Sequence, residues 1–187
     1  AVKRTDNTVR KRIELHALSN HSKMHSAIKI DEYVKMAKKW GHRAIALTDH
    51  SCVRGFPEFA AACKKEQIKP IYGMEGYLID GDALGLFRVV ILAATQAGLT
   101  NLNKLISLSR TGSVAGVKVI TRVELEKHRE GLIIGAASDG GELMKVLTAG
   151  QETETIEKIA SFYDYLEIHP ASGNSAVNMT EINRQIY

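Results

Sequence analysis

The feature that most constrains the fold of this chain is a series of short apolar runs, rich in Ile, Val and Leu. Six of them are typical of buried strands, at residues 12–18, 44–50, 69–79, 87–93, 132–137 and 164–169. Segments with helical periodicity lie between them. Strands that alternate with helices predict βαβ units and an α/β fold with a mainly parallel sheet, either open or closed as a barrel.

The segment 30–41 gives the clearest helix. Asp31 is expected to cap its start and Gly41 its end. Its apolar face is predicted to carry Tyr33, Val34, Met36, Ala37 and Trp40. Pro57 in a first turn predicts a second helix over 56–67, and weaker patterns predict helices at 100–110, 121–129, 141–149 and 152–162. Glycines and small residues at 80–85 and 111–118 indicate loops.

Length and composition predict one globular domain over residues 1–187, because 187 residues with 44% hydrophobic content can bury one core. No apolar run is long enough to span a bilayer and the polar first residues do not suit a signal peptide, which favours a cytoplasmic protein. Two cysteines, Cys52 and Cys63, are too few for a disulfide framework and are expected to be thiols.

The chain is moderately basic, with a net charge of +4 and a pI near 9.0. A basic leader over residues 1–11 contributes to this charge, and its cluster continues to the next residue: Lys3, Arg4, Arg10, Lys11 and Arg12. Such a cluster is either a solvated leader or a contact for nucleic-acid phosphate. The sequence leaves both interpretations open.

Ionisable residues stand at or near the ends of several predicted strands, where ligands gather in parallel α/β folds. They are His16, Asp49, His50 and His169, and a further candidate, Glu75, interrupts the run at 69–79. Imidazole and carboxylate together suit zinc or manganese, so these side chains form a candidate metal constellation. Each histidine could instead be a hydrogen-bonded structural residue, and Glu75 could instead pair with an Arg or Lys.

Two more histidines, His21 and His25, are four residues apart and would align if their segment were helical; a solvent loop is the alternative. Nucleophile-elbow and phosphate-loop motifs of the types GxSxG, GxxxxGK and GxGxxG are absent from the sequence. Those two classes of enzyme are therefore set aside.

Longer stretches carry a family resemblance: RIELHALSNHSKMHS, YVKMAKKWGHRAIALTDHSCVRGFPEF, IKPIYGMEGYLID, FRVVILAATQAGLTNLNKLISLS, EKHREGLIIGAASDGGEL and FYDYLEIHP. Together they resemble the PHP (polymerase and histidinol phosphatase) domain of PolC-type bacterial DNA polymerase III. The resemblance implies a distorted (β/α)7-type PHP barrel with up to three metal ions at its C-terminal rim. The family's last strand, with its Asp-x-His pair, is expected to be missing, so the chain is expected to be a fragment.

The same resemblance implies a metal site with fewer ligands than the family has. The matching ligand candidates are His16, His25, His50 and Glu75, with Asp49 as a neighbour that orients them. Replaced positions are Leu18 in place of a His, Arg88 in place of a His and Ser138 in place of a Cys. A guanidinium has no lone pair to offer a cation, so at most one weakly bound Zn or Mn is expected.

The resemblance further implies that the loop 80–85 stands where the family carries its exonuclease insertion. The leading hypothesis is a structural, catalytically degenerate module of a replicative polymerase, whose partners are the remainder of the polymerase chain and, through it, DNA, with no membrane. The alternatives are an active metal-dependent phosphoesterase or 3'-5' proofreading nuclease, and a free-standing enzyme similar to histidinol phosphatase.

Overall fold

A computed structural model describes residues 8–80, 85–114, 116–137, 140–168 and 179–186. The helices in these ranges are α1 (Ile30–Lys39), α2 (Phe56–Glu66), α3 (Gln96–Thr111), α4 (Arg122–Lys127), α5 (Glu142–Thr148), α6 (Thr153–Ala160) and α7 (Met179–Ile186). The strands are β1 (Ala44–Leu47), β2 (Lys69–Ile79), β3 (Phe87–Ala93), β4 (Ser113–Val114), β5 (Val117–Thr121), β6 (Leu132–Ala136) and β7 (Tyr165–Leu166).

Strand β2 organises the sheet, because it pairs with three neighbours along its length. Its first part is parallel to β1, its second part is antiparallel to β3, and its end is parallel to β5. The strand order is β4-β5-β2-β3-β6-β7, with β1 attached to β2. Five strands run in one direction and β3 and β4 run in the other. The predicted α/β class with mainly parallel strands is confirmed, and the sheet over the described residues is not closed.

Apolar side chains packed between the sheet and the helices form most of the core. The largest cluster joins β2, β3, β5 and β6 to α3, α5 and α7 and includes Leu78, Ile91, Leu102 and Ile134. A second cluster packs α1 and α2 onto β1 and includes Phe59, which is fully buried. At about 25 cal/mol per Å² of apolar area, this burial is the main favourable term in folding.

Strand predictions succeeded best in the middle of the chain, since the expected strands at 69–79 and 87–93 match β2 and β3 at both ends. The prediction of a paired strand at 12–18 is wrong. That segment runs beside β1, with one bridge between Glu14 and Ile45, and its carbonyls at Glu14 and Ala17 accept hydrogen bonds from β1 and the residue after it. The segment is therefore extended and contacts β1 at only some of its residues.

The helix predicted at 30–41 exists, but its buried face was partly wrong. Ile30, Val34 and Ala37 are buried, while Met36 and Trp40 are exposed. The predicted cap at Asp31 is also wrong, because the helix begins after Lys29 and no side chain caps it. Gly41 ends the helix as expected, with φ of +80°.

Residues 111–118 were expected to be a loop, and this expectation is wrong for most of the described residues among them. The end of α3 leads into β4, which pairs antiparallel with the first residues of β5. Helix α7 was not predicted, although its Ile182 is buried in the main core. Within the loop expected at 80–85, residues 81–84 lie outside the described residues.

Both cysteines are buried and unpaired, as expected for thiols. Across the described ranges, every helix is too short or too polar to cross a membrane.

A close backbone contact holds the start of α3 against the turn before β6. A Cβ added at Gly98 would lie 1.8 Å from the carbonyl oxygen of Gly131, so the two backbones must separate. We expect Gly98→Ala to lower the free energy of unfolding by about 2 kcal/mol or more, although alanine normally favours helix. The measurement is urea unfolding. Gly112→Ala is the control, since its Cβ would meet its nearest atom at 3.8 Å, and an equal loss in both variants would contradict the contact.

Candidate functional site

The centre of the candidate site is Glu75, a buried carboxylate in the middle of β2. Its Oε2 accepts a hydrogen bond from Nε2 of His16 at 2.8 Å, and its Oε1 accepts one from Nδ1 of His50 at 3.0 Å. His50 reaches it because the chain after β1 continues along β2, with a bridge between His50 and Glu75. Two predicted candidates, His16 and His50, therefore meet a third, Glu75, on β2.

His16 lies between two carboxylates. Its Nε2 contacts Glu75, and its Nδ1 lies 3.0 Å from Oε2 of Glu167, the residue that follows β7. An ionised carboxylate can only accept, so both ring nitrogens must donate and the ring is an imidazolium. This contact links the extended segment beside β1 to the far strand of the sheet.

The mutual contacts shift both pKa values. Burial alone would lower the pKa of His16, but hydrogen bonds and charges from Glu167 and Glu75 outweigh it and raise the pKa to about 9. Burial alone would raise the pKa of Glu75, but hydrogen bonds from His16 and His50, with the charges of His16 and Arg88, hold it at about 2. At neutral pH the pair is ionised on both sides.

Arg88 brings a second positive charge to Glu75 from the neighbouring strand β3. Its Nε lies 4.0 Å from Oε1 of Glu75, which is an ion pair without a close hydrogen bond. The backbone N–H of Arg88 donates to the carbonyl of Gly140, and this fixes the position of the residue. The alternative stated for Glu75, a pairing with Arg or Lys, is therefore present, although the closer partners are histidines.

Asp49 is buried and does not contact the imidazoles directly. It accepts hydrogen bonds from the backbone and hydroxyl of Ser19 and from the hydroxyl of Ser22. The Ser22 oxygen in turn accepts the backbone N–H of His50 at 2.9 Å. Asp49 thus positions His50 through Ser22, as a residue that orients a site would do.

The other predicted positions are more scattered. His25 is exposed, with its ring centroid 5.3 Å from that of His50, and His21 lies 3.6 Å from Glu58 in a different contact, so the two do not align. Leu18 is half-buried next to Ser19. Ser138 and His169 lie outside the described residues.

Over the part of the chain that the structure describes, no group of three or more His, Cys, Asp or Glu side chains has an arrangement that could hold a metal ion. The structure brings together His16, His50 and Glu75 of the candidate set, and leaves His25 beside them. Sequence reasoning missed Glu167. The signal was available, since Glu167 interrupts an apolar strand run in the same way as Glu75, and a carboxylate there is costly unless paired.

The pKa shifts predict how stability depends on pH. Because folding raises the pKa of His16, its contribution to the free energy of unfolding is complete below pH 6.5. This contribution is lost as pH rises through about 9. The lowered pKa of Glu75 means that its contribution is present above pH 4.5 and is lost as pH falls through about 2. The cluster therefore contributes most between about pH 4.5 and 6.5.

We expect the difference in free energy of unfolding between the wild type and His16→Gln to shrink from pH 6 to pH 9.5. Urea unfolding at a series of pH values measures it, and taking the difference removes groups that titrate alike in both proteins. A difference that stays constant or grows over this interval would show that His16 is not an imidazolium in the folded state.

Residues 14–171 of the chain match the model of the PHP domain family. A DNA polymerase III PolC-type from Clostridium perfringens is 38% identical over 125 residues, which is 60% of this chain and 9% of that protein. The Bacillus subtilis DNA polymerase III PolC-type is 54% identical over 70 residues, which is 37% of this chain and 5% of that protein.

A solved structure from Bifidobacterium adolescentis, described as a metal-dependent phosphoesterase, has a TM-score of 0.47 and 11% identity, and the match covers 93% of this chain and 94% of that one. At that level the likeness supports no functional conclusion. The chain spans less than a tenth of the length of the polymerase relatives. Because the family model covers most of the chain, including every described residue of the Glu75 cluster, the chain belongs to the PHP domain family.

Proposed function

We propose that this chain is the PHP domain of a PolC-type replicative DNA polymerase and acts as a structural module without catalysis of its own. The observation that carries the proposal is the charge balance around Glu75. Two carboxylates, Glu75 and Glu167, face two cationic side chains, the His16 imidazolium and the Arg88 guanidinium. Over the described residues, these four side chains carry two negative and two positive charges, which balance without a metal ion.

The residues do not fit the multi-metal cluster that the family implies. A metal ion would have to displace the protons by which His16 binds both carboxylates, since a protonated ring nitrogen has no lone pair. It would also approach the fixed charge of Arg88, which lies 4.0 Å from the same carboxylate. Leu18 supplies no donor atom at its position. We therefore derive no reaction step through a metal at this site.

One observation favours the alternative, a metal-dependent phosphoesterase or proofreading nuclease. His50 donates from Nδ1 to Glu75, and the neutral tautomer that does so has its lone pair on Nε2. With His25 nearby, this leaves an imidazole pair for one ion. A single pair of ligands binds weakly, and metal-assisted phosphoester hydrolysis commonly uses two well-held ions, so we rank this function second.

The proposed partner is the remainder of a polymerase chain. Its support is the identity of 38% and 54% to stretches of PolC-type polymerases that are far longer than this chain. In such a protein the Glu75 cluster would hold the strands of the sheet together while the polymerase reaction takes place elsewhere in the molecule. Cytoplasmic localisation follows from this partner and has the same support.

Metal content separates the two functions. After dialysis with zinc and manganese, we expect elemental analysis to find less than about a tenth of an equivalent bound, because two of the partners of Glu75 are already protonated or cationic. Arg88→His should bind more than the wild type, since it replaces a cation by a ligand. Near one equivalent in the wild type, lost in His50→Ala, would overturn the proposal, and hydrolysis of a phosphodiester substrate would then be assayed.

Stability gives a second test. We expect Glu75→Gln to cost roughly 3 kcal/mol or more in the free energy of unfolding, because it leaves buried positive charge without its partner. Glu58→Gln is the matched control: that carboxylate also faces a histidine but is 54% exposed, and its loss should cost less than about 1 kcal/mol. If urea unfolding gave the same loss of free energy of unfolding for both variants, the result would contradict a structural role for Glu75.

A further inference from the structure

The positive charge of this chain is concentrated at one end of the domain, away from the Glu75 cluster. We call this region the basic face and define it by three segments, residues 8–14, 38–43 and 64–69. The segments contain nine of the 25 Lys and Arg residues and two of the 21 Asp and Glu residues. The rest of the chain therefore has 16 basic and 19 acidic residues, so the net charge of +4 comes from the basic face.

The fold brings the three segments together. Helices α1 and α2 end where the parallel strands β1 and β2 begin, and Ala44 pairs in register with Lys69. The backbone N–H of Lys69 donates to the carbonyl of Arg43 at 2.9 Å. Lys11 lies against Gly41 at the end of α1, and Nδ1 of His42 donates to the carbonyl of Arg12 at 2.8 Å.

Most cations of this face are exposed and are not used in ion pairs. Arg12 pairs with Glu14 at 2.8 Å. Among the described residues, the following have no carboxylate partner within ion-pair distance: Arg10, Lys38, Lys39, Arg43, Lys64, Lys65 and Lys69. Unpaired cations at this density repel one another, which costs stability unless an anion binds.

Trp40 belongs to the basic face and directly follows α1. It is 60% exposed, and its ring lies 6.4 Å from that of His42, which is itself fixed by the bond to Arg12. An exposed Trp among cations is the arrangement on which nucleic-acid bases stack while phosphates meet the charges. Part of the charge has another use, because lysines in the last turns of α1 and α2 complement the helix dipoles. That use does not extend to Arg43, Lys69 or Trp40.

We infer that the basic face binds single-stranded nucleic acid without sequence preference, through its phosphates on the lysines and arginines and a base on Trp40. The inference concerns the opposite end of the strands from the Glu75 cluster and is independent of the proposed function. A metal test that fails at Glu75 leaves it intact. Single strands are favoured over duplex because a stacked base must be free of its own partner strand.

The test is binding of a 20-nucleotide fluorescein-labelled oligothymidylate to the full chain, followed by fluorescence anisotropy over a series of salt concentrations. Trp40 is the only tryptophan of the 187 residues, so its intrinsic fluorescence reports contact at this face directly. Binding is expected to quench it. We expect Lys64→Gln/Lys69→Gln to weaken binding about tenfold and to reduce the slope of log affinity against log salt by about one to two.

Lys104→Gln/Lys158→Gln is the matched control, because it removes the same charge from exposed positions on α3 and α6. It should change the affinity by less than about twofold. Trp40→Ala is expected to weaken oligothymidylate binding about fivefold or more and to leave inorganic polyphosphate, which has no base, unaffected. Circular dichroism checks that each variant is folded.

Several results would overturn the inference. They are no binding at low salt, equal loss in the two double lysine variants, no quenching of Trp40 on binding, and no effect of Trp40→Ala. Tighter binding to duplex DNA, or binding to polyglutamate or to anionic vesicles as tight as to oligothymidylate, would assign the face to a different partner and would also overturn it.

Discussion

The ionic contact of Glu75 is the constraint on which the rest of the structure depends. A carboxylate buried in the middle of a central strand is unfavourable by several kcal/mol unless it is paired and hydrogen-bonded. Its compensation comes from three directions: His16 on the segment beside β1, His50 on the extension of β1, and Arg88 on β3. Through His16 the same contact reaches Glu167 after β7. Correct pairing of the strands is therefore the condition for burying this charge.

The sequence predicted the parts of the fold that local chemistry decides. Apolar runs of seven or more residues located β2 and β3, and the cost of burying a charge was enough to make Glu75 a candidate. It could not decide the segment at 12–18, where Ile13 is exposed and His16 turns to the carboxylates, because its contacts come from residues far along the chain. The β4-β5 pairing was missed because glycines in a tight hairpin look the same as glycines in a loop.

The sequence indicated which residues could form the site, but not how they contact one another. The resemblance gave four candidate ligands, and three of them meet, yet spacing alone could not show that their donors bind one another. Glu167 was missed although it interrupts the predicted run at 164–169 as Glu75 interrupts the run at 69–79, and its partner His16 lies far away along the chain. Asp49 was expected to orient the candidate ligands, and in the structure a hydroxyl of Ser22 stands between it and the backbone of His50.

The residues that stand in place of the family's ligands can be explained by the charges around Glu75. In a metal centre the carboxylates are balanced by a cation that can leave, so folding depends on the supply of metal. Under the proposed function, Arg88 and the protonated His16 are the balancing cations and belong to the chain itself, so the buried charge is compensated whether or not metal is present. Once an arginine supplies that charge, a further ligand such as a histidine in place of Leu18 would gain little, because any ion that it attracted would meet Arg88. Arg88 adds a fixed cation on the adjacent strand to the two histidines that already contact Glu75, and under the proposed function such a cation is what a domain kept for its architecture would require.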